Sequence, residues 1–339
     1  MYSYYLPMLN VIAKLVPNLL DSKSIEQKPA RDGFGKGLVE AGGKDERVVI
    51  LCADLAESTR VHWFKEKFPG RYIEIGVAEQ NMATIASGLA NYGKIPFIAS
   101  YAAFSPGRNN EQIRTTICLN NLPVKIAGAH AGVSVGPDGA THQALEDIAL
   151  MRVLPRMTVI VPCDSEEARK ATVAAASRPG PVYIRFGREK SPVFTTPDTP
   201  FEIGKAVILR QGKDITIIGC GMLLYNALAA AEELAGEGID VEVINSHTIK
   251  PLDAETIAQS VKKTGAVVSV EEHQIHGGLG SAIAELLAAE HPAPMEFMGV
   301  RDRFGESGDP LELIEAFGLG TKDIVAAAKR ALERKGART

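Results

Sequence analysis

Short apolar runs alternate with helix-like segments along residues 27–190, and this alternation restricts the possible folds more than any other feature of the sequence. Residues 48–53, 95–101 and 124–130 have the composition of buried strands, and polar or glycine-rich residues follow each run. Such alternation is typical of a mostly parallel sheet covered by helices on both faces. We therefore predict an α/β fold built on a doubly wound parallel sheet.

A second alternating block follows a stretch rich in proline and threonine at residues 191–203, a composition typical of linkers. The sequence thus predicts an N-terminal arm at 1–26, a first domain at 27–190 and, beyond the linker, a smaller α/β domain at 204–339. The arm is apolar but interrupted by prolines. We expect it to pack on a neighbour.

Composition and charge argue against several classes of function. The net charge of −4 does not suit a general nucleic-acid-binding protein. The four cysteines lack the C-x-x-C spacing of zinc sites, so we expect no metal site and interpret them as buried free thiols in a reducing cytoplasm. No apolar run reaches the length needed to span a membrane, and residues 1–20 lack the basic region and cleavage site of a signal peptide.

The stretch 71–88 predicts a strand, a break at Gly76 and then a helix. It places Glu79 and Gln80 near a helix N-terminus, at the carboxyl end of a strand, which is where ligands bind in open α/β sheets. A carboxylate in the first helical turn also interacts favourably with the helix dipole, so a purely structural role stays open.

Residues 130–143 form a glycine-rich loop after a predicted strand and contain His130, Asp138 and His142. Glycines permit a positive φ and a close approach of a ligand to the backbone. Because so many polar groups in a buried loop would be costly without partners, this loop predicts a functional site.

Several other residues have both a functional and a structural interpretation. Tyr101 and Phe104 are spaced so that they could line a flat ring, or they could belong to the core. Ser58 lies in a polar turn that could simply cap a helix. Arg31 and Arg188 are single basic residues that could bind a substrate or lie on the surface.

Motifs of other enzyme classes are missing from the sequence. It contains no P-loop, no H-E-x-x-H and no G-x-S-x-G. Residues 276–281 superficially resemble a dinucleotide-binding loop, but they lack the G-x-G-x-x-G spacing, and we interpret them as a tight entry into a helix.

The order of motifs resembles the C-terminal half of transketolase. In sequence order these motifs are D-L-x-x-S, G-x-x-E-Q-N-M, S-Y-A-A-F and H-x-G-V-x-V-G-x-D-G-x-T-H-Q, followed by an arginine after the last strand. The resemblance covers about residues 27–335. It implies a pyrimidine-binding domain followed by a transketolase C-terminal domain. It also implies thiamine diphosphate as cofactor and transfer of a two-carbon ketol unit from a ketose phosphate to an aldose phosphate, as in the pentose phosphate pathway.

The resemblance also implies a role for each candidate residue. Glu79 would activate the cofactor through N1′ of its pyrimidine ring, and Tyr101 and Phe104 would line that ring. His130 and His142 would hydrogen-bond substrate hydroxyls and assist proton transfer. The remaining residues would bind other parts of the substrate: Arg31, Ser58 and Arg188 the phosphate, and Asp138 a sugar hydroxyl.

The sequence departs from the family pattern in two ways. Some relatives carry a large side chain where this chain has Gly107. The G-D-G…N motif, which binds Mg²⁺ and the diphosphate in the other half of the family's enzymes, is also missing. The resemblance therefore implies the C-terminal subunit of a split transketolase. Such a subunit would be active only with a separate N-terminal subunit that holds Mg²⁺, most simply in an α₂β₂ assembly that shares the cofactor.

Alternative functions stay open at this point. The beta subunit of a 2-oxoacid dehydrogenase has the same two domains but needs no ligands for a sugar phosphate. The related 1-deoxyxylulose-5-phosphate synthase shares much of the pattern, although a split form of it would be unexpected. A non-catalytic half that only binds a partner is the third possibility, and the candidate site residues argue against it.

Overall fold

The strands of both domains lie where the apolar runs predict them. The computed structural model describes residues 9–337. Its strands are β1 Gln27–Pro29, β2 Val48–Cys52, β3 Tyr72–Glu74, β4 Ile95–Tyr101, β5 Lys125–Ala129, β6 Thr158–Ile160, β7 Val182–Arg185, β8 Lys190–Pro192, β9 Val207–Arg210, β10 Ile215–Gly219, β11 Val241–Asn245, β12 Thr248–Lys250, β13 Val267–Gln274 and β14 Met295–Val300.

The helices alternate with these strands. They are α1 Ala30–Lys44, α2 His62–Lys67, α3 Glu79–Asn91, α4 Asn110–Gln112, α5 Asp147–Arg152, α6 Ser165–Ser177, α7 Leu224–Gly236, α8 Ala254–Thr264, α9 Leu279–Glu290, α10 Pro310–Ala316 and α11 Thr321–Gly336. Helix α4 continues into π-helical turns at Ile113–Cys118, and the glycine-rich loop contains a 3₁₀ turn at Val133–Asp138.

The first domain is built on a seven-stranded sheet in the order β12-β6-β7-β5-β4-β2-β3. All neighbouring strands are parallel except β12, which pairs antiparallel with β6 at one edge. Successive residues of β4 enter cores on opposite faces: Phe97 packs in the cluster that contains Phe34 of α1, and Ile98 in the cluster that contains Met82 of α3. The prediction of a doubly wound parallel sheet is therefore confirmed.

The second domain has a five-stranded sheet in the order β14-β13-β10-β11-β9, and only its edge strand β9 is antiparallel to its neighbour. Helices α7 and α11 pack together over this sheet. The predicted smaller α/β domain is thus present, and its sheet follows the same alternation of strands and helices as the first.

The N-terminal arm packs on the second domain of its own chain, where the sequence led us to expect a neighbour. Leu9 bridges Arg210 of β9, and the Asn10 amide donates to the carbonyl of Leu209 at 2.9 Å. Ala13 and Leu19 are buried in the core of the second domain. Residues 1–8 of the predicted arm lie outside the described residues.

The predicted linker connects the domains and is itself packed. Strand β8 overlaps its beginning and pairs with β1. Phe194 is fully buried, and its amide donates to the Asp164 carboxylate at 2.9 Å. The second domain also supplies β12 to the sheet of the first, so the two domains share a sheet and a buried strap.

Two further expectations concern the chain as a whole. The four cysteines are buried free thiols, as predicted. Among residues 9–337, none of the helices combines the length and the apolar character that crossing a membrane requires.

Candidate active site

Glu79 is buried at the start of α3, one turn beyond the end of β3. Gly76 has a φ of +75°, which lets the chain reverse between the strand and the helix. The Glu79 side chain is 3% exposed, and both carboxylate oxygens have partners. Ser100 Oγ donates to Oε1 at 3.1 Å, and Arg108 Nη1 donates to Oε2 at 3.2 Å. Neighbouring strand ends therefore fix the position of this carboxylate.

An aromatic wall begins at the end of β4, the next strand of the sheet. The rings of Tyr101 and Phe104 lie 5.9 Å apart between centroids and 28° from parallel. The Arg108 guanidinium lies 4.0 Å from the Phe104 ring centroid, within range of a cation–π contact. The same arginine thus joins the aromatic wall to Glu79.

The loop of residues 130–143, the histidine loop, brings both histidines to this wall. His130 follows β5 and has a φ of +52°, and its ring meets Tyr101 edge-on at 4.1 Å between centroids. His142 packs edge-on against Phe104 at 5.2 Å. Residues from three separate motifs therefore form one cluster, because the parallel strands β3, β4 and β5 end at the same edge of the sheet.

His130 is held as a neutral imidazole. Burial lowers the pKa of His130 to about 3, and the nearby charges of Arg31 and Arg188 lower it further. Arg31 Nη1 lies 3.3 Å from His130 Nε2. Because arginine can only donate, Nε2 accepts and the ring proton lies on Nδ1. That Nδ1 is buried and has no hydrogen-bond partner among residues 9–337, so it is available to a ligand.

Basic residues lie beyond the histidines, in a cavity of about 510 Å³ between the two domains. Arg31 and Arg188 line it together with Arg60 and Lys190, and the second domain contributes residues 309–311. Side chains of this type suit a bound anion such as a phosphate or a sulfonate.

The structure brings most, but not all, of the predicted side chains together. Ser58 approaches Arg31 with its backbone carbonyl, which accepts from Nη1 at 3.2 Å. The carboxylate of Asp138 pairs with Arg188 Nη1 at 3.3 Å on an exposed part of the histidine loop. Asp138 therefore lies beside the basic cavity.

Several residues around the site were not predicted. Arg108 follows the aromatic pair in the same motif, so its position four residues after Phe104 was a usable signal. Asn109, whose side chain donates to the Glu79 carbonyl at 3.1 Å, had no such signal. Arg60 and Lys190 become neighbours of Arg31 and Arg188 only in the folded chain.

The residues of this site fit the pyrimidine half of thiamine diphosphate. A buried carboxyl group stands at the edge of a stacked aromatic pair, and an unpartnered imidazole N–H lies on the other side. A site for the diphosphate and its metal is a different matter. Within residues 9–337, no three His, Cys, Asp or Glu side chains are placed to hold a metal ion together.

The glycine pair at 277–278 is a helix entry. The Glu271 carboxylate accepts from the amides of Leu279 and Gly280 at 2.7 and 2.8 Å. A carboxylate of the protein therefore occupies the N-terminus of α9, where the phosphate of a dinucleotide would have to lie.

Comparison with known families agrees with this arrangement of a pyrimidine site on the first of two α/β domains. The family model "Transketolase, pyrimidine binding domain" matches residues 26–193, and "Transketolase, C-terminal domain" matches residues 204–324. The chain belongs to the transketolase family, whose members depend on thiamine diphosphate.

Individual relatives match nearly over their full length. The chain is 44% identical over 314 residues to the 6-deoxy-6-sulfo-D-fructose transketolase subunit SqwH of Clostridium sp. (strain MSTE9), which covers 93% of this chain and 98% of the relative. It is 36% identical over 299 residues to a subunit of the apulose-4-phosphate transketolase of Phocaeicola vulgatus, which covers 88% and 96%. A solved structure titled "Split gene transketolase, inactive beta4 tetramer" matches with a TM-score of 0.85 and 47% identity, over 91% of this chain and 99% of that one.

Proposed function

We propose that this chain is the C-terminal subunit of a thiamine-diphosphate-dependent transketolase. It would transfer a two-carbon ketol unit from a ketose phosphate to an aldose phosphate, together with a separate subunit that holds Mg²⁺ and the diphosphate. One observation carries the proposal: the buried Glu79 carboxylate stands beside the Tyr101–Phe104 wall, with both histidines packed on that wall. When bound, thiamine diphosphate supplies the carbon centre that carries the two-carbon unit.

The chain's own residues have distinct tasks in this proposal. Glu79 holds a proton at the edge of the pyrimidine ring, and Tyr101 and Phe104 support the face of that ring. His130 is neutral at physiological pH, so it donates a hydrogen bond from Nδ1 to a substrate oxygen without adding charge. His142 Nδ1 lies 2.8 Å from Thr141 Oγ1, which orients the ring toward the wall for proton transfer.

The basic cavity supports a substrate with a terminal tetrahedral anion. Four cationic side chains line it, which exceeds what the single carboxylate of a small 2-oxo acid requires. The two relatives are named for 6-deoxy-6-sulfo-D-fructose and for apulose 4-phosphate, so their substrates carry a sulfonate and a phosphate. We propose a sugar phosphate or sugar sulfonate as the donor, with the anion against Arg31 and Arg188.

The need for a partner subunit is part of the proposal. The two matched domains bind the pyrimidine and follow it in the chain, and residues 9–337 offer no metal site for the diphosphate. The related solved structure is described as an inactive tetramer of beta chains. We propose an active α₂β₂ assembly, and the buried free thiols suit a reducing cytoplasm as its location.

Isothermal titration of Mg²⁺ and thiamine diphosphate into the purified chain tests the proposal. We expect weak or absent binding to the chain alone, and both tight binding and ketol transfer once the diphosphate-binding subunit is added. Glu79→Gln should abolish transfer in the reconstituted complex. Full activity of the isolated chain, or an unchanged rate in Glu79→Gln, would contradict the proposal.

A further inference from the structure

The second domain touches the histidine loop wherever the loop carries a glycine with positive φ. Gly132, Gly136 and Gly139 have φ values of +94°, +78° and +70°. A Cβ atom at these positions would lie 2.3, 2.8 and 2.4 Å from an atom of the second domain. The three contacts are Gly132 with the Glu272 carboxylate, Gly136 with Pro310 and Gly139 with Ser307.

Glu272 supports the loop from below. It lies in β13, its side chain is buried, and Oε1 accepts from the Ser134 amide at 2.6 Å. Its carbonyl accepts from Arg185 Nη2 at 2.6 Å, and Arg185 Nε donates to Asp147 at 2.9 Å. The carboxylate is therefore fixed on both sides, and the amide of the loop binds to an anchored acceptor.

The segment 305–310 covers the loop from above. Gln143 Nε2 donates to the carbonyl of Glu306 at 2.9 Å and to the carbonyl of Val133 within the loop at 3.0 Å. A Cβ atom on Gly305 would lie 1.6 Å from Gln143 Oε1, so this part of the second domain fits tightly against the loop.

We propose that the C-terminal domain is the positioning device of the histidine loop, with Glu272 as its central positioning residue. Glycines with positive φ confer conformational freedom that the loop cannot suppress by itself. Contacts from Glu272 and segment 305–310 remove that freedom and hold His130 and His142 against the aromatic wall. A displacement of about 1 Å in such a group can reduce a rate by about 100-fold. The catalytic consequence rests on the proposed function, whereas the control of the loop does not.

Hydrogen–deuterium exchange on the full-length chain tests the control of the loop without any activity. In Glu272→Ala we expect peptides that cover residues 130–143 to exchange about tenfold faster, because a hydrogen bond to a charged group is lost. Glu272→Gln keeps an oxygen acceptor and should restore most of the protection. The matched control is Glu285→Ala, which removes another carboxylate of the second domain that pairs with the first domain through Arg152.

A second variant keeps the test decisive if Glu272→Ala does not fold. Gly305→Ala lies in a half-exposed segment and disturbs the contact with Gln143 while Glu272 stays intact. It should produce the same local increase in exchange. Unchanged exchange of the loop, or an equal increase across the whole chain, would overturn the proposal.

Kinetics of the reconstituted complex then test the catalytic consequence. We expect Glu272→Ala to lower kcat by about 100-fold while KM for the ketose changes by less than about threefold, with Glu272→Gln close to wild type. Equal kcat in wild type and Glu272→Ala would refute the positioning role. If the wild-type complex transfers no ketol unit, the proposed function fails, while the exchange result still decides whether the second domain controls the loop.

Discussion

At the scale of single residues, the contact between Glu79 and Arg108 bears directly on cofactor binding. N1′ of the pyrimidine is a hydrogen-bond acceptor, so the Glu79 carboxyl must offer it a proton. In the structure, Oε2 instead accepts from Arg108 Nη1 at 3.2 Å. This ion pair therefore has to open when the cofactor binds.

We predict that Arg108→Met tightens the binding of thiamine diphosphate by about fivefold, since a partly exposed ion pair contributes about 1 kcal/mol. Methionine keeps apolar volume over Phe104 while it removes the donor. Titration calorimetry on the reconstituted complex measures the change, and Arg114→Met, an exposed arginine in the same segment, is the matched control. Weaker binding by Arg108→Met would show that the guanidinium assists the cofactor instead of competing with it.

The second prediction at this scale concerns the charge of His130. Because burial and the nearby arginines lower the pKa of His130 to about 3, its ring should not titrate between pH 5 and 8. Nitrogen NMR of the seven histidines should show one neutral ring with its proton on Nδ1 throughout this range. The signal is assigned by its loss in His130→Gln. A midpoint near pH 6.5 for that signal would refute the assignment.

At the scale of secondary-structure elements, much of the site could be predicted because local pattern and topology agree. The break at Gly76 located the start of α3 at Glu79, and the ends of parallel strands placed Tyr101 and His130 on the same edge of the sheet. The packing of residues 190–203 was less predictable. Proline and threonine are typical of flexible linkers, and only the folded chain places Asp164 where it can accept from the amides of Phe194 and Thr195.

The packed strap yields a prediction about stability. Phe194 is fully buried in the core of the second domain, so Phe194→Ala should lower the free energy of unfolding by about 3–5 kcal/mol. Phe304→Ala is the control, because Phe304 is 83% exposed and should change stability by less than about 0.5 kcal/mol. Urea denaturation of both variants gives the comparison. Equal stability would mean that residues 191–203 behave as a flexible linker.

At the scale of the whole molecule, the contacts between the domains were the least predictable feature. Strand β12 joins the sheet of the first domain, and Glu272 reaches the histidine loop across 138 residues of sequence. A motif indicates which residues follow a strand, but it does not indicate which distant element packs on them. The predictions therefore located the residues around the cofactor better than those that hold them from the second domain.

Two buried carboxylates at the domain interface make the stability of the whole chain depend on pH. Asp164 accepts from four donors: the amides of Glu167, Phe194 and Thr195, and the Thr195 hydroxyl. Glu167 has fewer donors, namely the Cys163 amide and the Asn245 side chain. Burial, and then the charge of Asp164, raise the pKa of Glu167 from 4.5 to about 7. Glu167 is thus the member of the pair that retains a proton.

The sign of the pH effect follows from this shift. Because the folded state binds the proton more tightly than the unfolded state, the contribution of Glu167 to stability is complete below about pH 4.5 and is lost as pH rises through about 7. The loss is at most about 3 kcal/mol. Glu167→Gln should remove this dependence, since a neutral amide can donate to Asn245 Oδ1, which is buried without a partner among residues 9–337. Denaturation between pH 5 and 8 compares wild type with Glu167→Gln and with the exposed control Glu255→Gln. Parallel curves for wild type and Glu167→Gln would mean that Glu167 is already ionised in the folded chain at pH 5.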